Sequence, residues 1–101
     1  MKTKSFSIEL SNEAEVDFDR SYQYYYEENP KVANYFFKSI NFNLENIKQN
    51  PKIFPIVHKD IRKYVVKKFP FVIYYKTVGT VIQVIAIFHT SRNPEMWNER
   101  I

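Results

Sequence analysis

His89 ends the long apolar run VIQVIAIFH, Arg92 follows three residues later, and the chain of 101 residues has only two histidines. An imidazole titrates near neutral pH and can take or give a proton. A guanidinium can grip two phosphate oxygens at once. Upstream, the segment HKDIRKYVVKK adds Arg62, Lys63, Lys67 and Lys68. These residues are a chemically sufficient kit for metal-free RNA cleavage, which needs a base for the 2′-hydroxyl, an acid for the leaving oxygen and cations for the charged phosphorane. The candidate catalytic residues are therefore His89, Arg92 and Arg62. The candidate phosphate or target contacts are Arg62, Lys63, Lys67, Lys68, His89 and Arg92. Each has a plainer use as well: a strand-end histidine is commonly held by local hydrogen bonds, and a lysine-rich segment often serves only solubility.

Composition narrows the chemistry. There is no cysteine, which removes disulfides and thiol-based zinc or redox chemistry. His58 and His89 lack the short spacing of a metal motif, so no metal is expected. A single glycine is too few for a phosphate-cradling loop, so no nucleotide cofactor is expected either. The length fits one domain over residues 1–101. No segment suits a secretory signal or a membrane span, so a cytoplasmic location is expected. The net charge of +4 is unevenly placed: residues 1–50 carry six Lys/Arg against eight Asp/Glu, and residues 51–101 carry nine against three. A basic half is the electrostatic footprint of a phosphate-bearing partner.

The elements that must position these residues can be read from periodicity. SFSIEL alternates with Phe6, Ile8 and Leu10 on one face, the pattern of a half-buried strand. Ser11 or Asn12 caps a helix running to about Glu28, with Ala14, Phe18, Tyr22 and Tyr25 or Tyr26 along one stripe. Asn29 and Pro30 start a second helix, whose stripe is Ala33, Phe36, Phe37, Ile40, Leu44 and Ile47 and which Pro51 ends. Helices joined so tightly form an antiparallel hairpin. After a proline-marked loop, PKIFPIVHKD, three strands follow: IRKYVV, FVIYYKTV and TVIQVIAIFH, with Gly79 in the turn between the last two. Both of those are apolar on both faces and suit central positions. NPEMWNER reads as a short terminal helix, with Trp97 packing it against the sheet. The expected fold is α+β, β-α-α-β-β-β-(α), with the helical hairpin on one face of a small, mainly antiparallel, curved sheet.

In this order, Ala14 and Asp17, YYYEENPKVANYFFKSI, NPKIFP, IRKYVVKKFPFVIYY and VIAIFHTSRNPEMWNER resemble the RelE/ParE superfamily of bacterial toxins over essentially the whole chain. The ending His89, Arg92, Pro94, Trp97 and Arg100 resembles its ParE-like and plasmid-stabilisation branch. The resemblance implies the toxin of a type II toxin–antitoxin module, neutralised by a cognate antitoxin in a hetero-oligomeric complex. ParE-like members poison DNA gyrase, whereas RelE-like members cut mRNA on the ribosome. Many nucleases of the superfamily carry an arginine in the strand corresponding to FVIYY and a tyrosine after the strand-end histidine. Here Lys76 is the first basic residue of that strand and Thr90 follows His89, which favours the gyrase reading. Some gyrase-directed relatives also carry the strand arginine. The alternatives are an mRNA endonuclease and a non-toxic module that only binds antitoxin.

Overall fold

The computed structural model describes residues 5–92 and 98–101. Its elements are β1 (Ser7–Leu10), α1 (Asn12–Glu28), α2 (Pro30–Gln49), β2 (Ile56–His58), β3 (Ile61–Val65), β4 (Phe71–Val78) and β5 (Val81–His89). Local chemistry accounts for the helix boundaries. The Ser11 hydroxyl accepts the Ala14 N–H and starts α1. Asn29 then serves two helices: its N–H donates to Tyr25 O at the end of α1, and its side chain accepts Lys31 N–H at the start of α2. Pro30 fills the first position of α2, where a missing N–H leaves no bond unmade.

The five strands form one sheet in the order β1-β5-β4-β3-β2, with β1 parallel to β5 and every other pair antiparallel. As expected, β4 and β5 are internal. One strand was not expected: Ile56–His58, within the proline-marked loop, pairs with β3. Its residues are all exposed, so it has no buried face to produce a periodic signal. The expected terminal helix falls largely on residues 93–97, which, with Trp97, lie outside the described residues. Residues 98–100 form a single 3₁₀ turn.

The helical hairpin covers one face of the sheet. Phe36, Ile40, Leu44 and Ile47 of α2 meet Tyr64, Ile73, Tyr75, Ile82, Val84 and Ile87 in the main core. Phe37, expected on the same stripe, is 48% exposed. It lies one residue around the helix from Phe36 and meets the edge of the Phe18 ring. On the opposite face, Val72, Tyr74, Ile85, Ala86 and Phe88 form a second buried cluster.

The alternation that separates the two faces is broken once. Tyr74 pairs with Ala86 but Tyr75 with Val84, so β5 carries one extra residue, Ile85. This bulge puts Ile85 and Ala86 on the same side, and Ile87 returns to the helix side.

The loop after α2 is fastened by adjacent residues of two strands. Arg62 and Tyr75 are register partners. The Tyr75 hydroxyl donates to Pro51 O at 2.6 Å, and Arg62 Nη1 donates to Lys52 O and Phe54 O at 3.0 and 2.7 Å. Burial pushes the Tyr75 phenol up to about 12, against the opposing pull of the Arg62 charge. A folded-state value above the unfolded one favours folding fully below pH 10, and that contribution is lost as pH rises toward about 12. Tyr75→Phe should therefore cost about 1 kcal/mol at pH 7. Urea unfolding of the variant at pH 7 and pH 11 should also show a smaller alkaline loss of stability than the parent chain.

Candidate functional site

β5 runs past its parallel partner. Among the described residues β1 pairs with it from Val81 to Val84, and no described strand lies along the outer edge of Ile85 to His89. Side chains complete that edge. The Asp17 carboxylate, buried on α1, accepts the Ile87 N–H at 3.0 Å. Arg100 grips the same carboxylate through both terminal nitrogens, at 2.6 and 3.0 Å, and donates to Ile85 O at 3.1 Å. The Ser11 hydroxyl also reaches Ile85 O, at 3.4 Å. A bidentate pair is the strong form of this interaction, and the bonds to Asp17 push the Arg100 guanidinium further above its already high value despite burial.

Arg92 joins the cluster rather than His89. Its Nη1 lies 3.5 Å from Asp17 Oδ1. Its guanidinium carbon is 4.2 Å from the Phe88 ring centroid, and that of Arg100 is 4.8 Å away, within cation–π range. The Arg92 side chain is 34% exposed and that of Arg100 12%.

His89 faces elsewhere. The Arg92 N–H closes a turn on His89 O, but the side chains diverge. The imidazole meets the edge of Phe71 at 5.3 Å and lines an open cleft of about 440 Å3 with Arg20, Ser21, Tyr24, Tyr25 and Ser91. Its Nδ1 accepts the Ser91 N–H at 3.0 Å, with the Ser91 hydroxyl 2.8 Å away. In the neutral ring the proton then sits on Nε2. So held, His89 offers the cleft a hydrogen-bond donor. Using Nε2 as a base would require the other tautomer, which would set an Nδ1 proton against the Ser91 N–H.

The remaining cations also separate. Arg62 is committed to the loop carbonyls already described. Lys67 and Lys68 sit in the β3–β4 turn, at the same end of the sheet as His89: Phe71 pairs with His89, and Thr90 N–H donates to Pro70 O. Lys63 lies further along β3, opposite Tyr74. The turn is anchored on α2 through buried Asn43. Asn43 Oδ1 accepts Tyr64 O–H at 2.6 Å and Lys67 N–H at 3.2 Å, while Ser39 Oγ donates to Lys67 O at 3.2 Å.

Asp17, Ser39, Asn43 and Arg20 were not singled out by chemistry from the sequence. A usable signal existed for three of them: Asp17 follows Ala14 by three residues, and Ser39 and Asn43 flank Ile40 and Leu44, so polar side chains interrupt two apolar stripes. Arg20 gave none, because its relation to His89 arises only from packing.

Among the described residues no group of three His, Asp, Glu or Cys side chains gathers as metal ligands. No described helix is long and apolar enough to cross a membrane. The family model described as the ParE toxin of the type II toxin–antitoxin system, parDE, matches residues 8–94. No curated protein sequence matches at a significant level. Among solved structures, the chromosomal ParDE toxin–antitoxin system from P. aeruginosa contains a chain similar in fold, with a TM-score of 0.75 and 20% identity. The similarity covers 84% of this chain and 96% of that one.

Removing Asp17 would strand the Arg100 charge and the Ile87 N–H together. Asp17→Ala should cost about 3–5 kcal/mol, the range for breaking a buried ion pair. Arg92→Ala, at a longer and more exposed contact, should cost at most about 1 kcal/mol. Chemical denaturation of the two variants checks the ranking, and equal losses would contradict it.

Proposed function

The chain belongs to the ParE toxin family of type II toxin–antitoxin systems, and we propose that it inhibits growth by binding DNA gyrase, without cutting RNA, until a cognate antitoxin neutralises it. What supports binding over cleavage is the dispersal of the catalytic kit. Metal-free cleavage needs an acid, a base and phosphate-gripping cations around one reacting phosphate. Arg62 holds the carbonyls of Lys52 and Phe54, Arg92 turns to Asp17 and Phe88, and the His89 Nδ1 is taken by Ser91. Cations committed in this way supply fold stability, and the imidazole supplies a directional donor.

The target contact belongs at the sheet end that carries His89, Lys67 and Lys68, with Arg20 across the cleft from His89. Positive charge there suits a protein–DNA complex such as gyrase with its bound duplex, through steering and phosphate contact. The antitoxin is a polypeptide that covers this end or lies beside it, as a helix or extended segment with apolar anchors.

Induced expression should arrest growth, and purified protein should inhibit gyrase supercoiling while leaving ribosome-bound mRNA uncut. Cleaved mRNA with unaffected gyrase would reverse the mechanism in favour of the endonuclease. Normal growth at good soluble expression would reduce the protein to a binding module. His89→Ala should keep stability within about 0.5 kcal/mol and weaken the arrest; full toxicity would remove His89 from the contact surface.

A further inference from the structure

Of the four arginines in the chain, three are spent on the fold: Arg62 on loop carbonyls, and Arg92 and Arg100 on Asp17. Arg20 is the exception. It is exposed on α1, and among the described residues no carboxylate or aromatic ring takes its guanidinium. It lines the cleft of about 440 Å3 across from His89, and no Asp or Glu lines that cleft with it. Such a volume is typical of small-ligand clefts, which span about 300–1,000 Å3.

The cleft lies on the helix side of the sheet. His89 follows Ile87 in facing the hairpin and packs against Phe71, whereas Phe88 faces the other way, with Arg92 and Arg100 over its ring. α1 supplies the remaining chemistry. Residues four apart share a helix face, so Arg20 and Tyr24 are neighbours, as are Ser21 and Tyr25. The Tyr24 ring is 62% exposed. Tyr25 meets it edge-on at 5.4 Å and is itself packed against Phe36, Phe69 and Phe71 at 5.1, 5.5 and 6.3 Å. An open ring beside so braced a neighbour is a stacking platform that loses little freedom on binding.

We propose that this cleft binds one unpaired nucleotide of a single-stranded nucleic acid, its phosphate between Arg20 and His89 and its base on Tyr24. A guanidinium grips phosphate oxygens through two nitrogens. The His89 Nε2–H donates to the same group, its tautomer set by the Ser91 N–H at Nδ1. Every base has a π-face, but a duplex hides those faces in its stack, so an unpaired base is the one that can use Tyr24. A bare phosphate would leave the ring idle. Charge then sets the path of the neighbouring nucleotides. Glu27 and Glu28 end α1 about one turn beyond Tyr24. On the other side, the turn bearing Lys67 and Lys68 joins the cleft wall where Phe69 packs on Tyr25. A bound strand therefore leaves toward the lysines, whose further phosphate contacts favour a polyanion over a phosphorylated side chain.

For the source of the strand this rests on the gyrase-directed reading, which it deepens: the nucleotide is then an unpaired one in the DNA held by the target.

The full chain is titrated into a labelled oligothymidylate of about 8 nucleotides and followed by fluorescence anisotropy. A hairpin duplex, thymidine monophosphate, inorganic phosphate and a phosphotyrosyl peptide serve as competitors. The single strand should bind more tightly than the duplex, and thymidine monophosphate should displace it at concentrations where phosphate does not. Tyr24→Ala should weaken binding by about 10-fold, the worth of one stacked base, and Tyr24→Phe should restore it. Arg20→Gln should weaken binding and lower the slope of log affinity against log salt by about 0.7, the share of one single-strand phosphate. Lys48→Gln removes the same charge from the last turn of α2 and should stay near parental affinity. Arg20 and Tyr24 are exposed, so both sets of variants should melt with the parent chain. Equal binding of the duplex, parental affinity in Tyr24→Ala, equal losses in Arg20→Gln and Lys48→Gln, equal displacement by phosphate, or tighter binding of the phosphotyrosyl peptide would each overturn the proposal. Growth arrest with gyrase inhibition but no oligonucleotide binding would sink the nucleotide site and leave the toxin reading standing; oligonucleotide binding without arrest would do the reverse.

Discussion

The outer edge of β5 is where this fold had a problem to solve. A central strand that outruns its neighbour presents buried N–H and C=O groups to nothing, and each unmet group costs about as much as a lost hydrogen bond. β1 stops opposite Val84, and Asp17 and Arg100 do the work of the missing strand by taking Ile87 N–H and Ile85 O. Because Asp17 rides on α1 and Arg100 lies near the C-terminus, one ion pair joins the helical hairpin, the sheet and the chain end. It also falls at the bulge where β5 changes which residues face the helices. The orientation of α1, the two-faced burial of β5 and the placement of residues 98–101 all depend on it.

That constraint divides the positive charge of the second half into two populations. The arginines are spent inward: Arg100 and Arg92 on Asp17 and Phe88, Arg62 on the carbonyls of the 51–54 loop. A planar fork with several donors suits such fixed geometry. Lys67 and Lys68 remain outward, on a turn tied down by Asn43 and Ser39. Lysine suits that place, since a hydrated point charge on a flexible stem can meet a partner without demanding one geometry. A composition that reads as one basic region is thus a set of structural guanidiniums and a set of presented ammoniums.

The elements with a buried face were legible. Both helices, their shared boundary at Asn29–Pro30, and strands β1, β3, β4 and β5 follow from periodicity and capping, because burial on one side imposes a repeat. β2 was not, since none of its residues is buried. The candidate site was legible only as a set of residue types. His89 and Arg92 are three residues apart in a turn, and no pattern in the sequence says that one side chain meets Phe71 while the other crosses to Phe88. The polar positions inside the apolar stripes carried more structural meaning than the conspicuous charges did. Asp17 and Asn43 are buried, and a buried polar group must find partners.

What the sequence determined by itself was the order of elements, the faces they bury and the chemical types gathered in the second half. It also carried the family likeness, because local propensity and hydrophobic period are properties of neighbouring residues. What the tertiary structure decided was which charges are occupied. Asp17 meets Arg100 across 83 positions of chain, and Asn43 meets Lys67 across 24. Distances of that kind are set by packing, and no local rule reaches them. For that reason the His89–Arg92 pair, which the sequence offers as a unit, becomes in the folded chain a donor in one cleft and a brace in another.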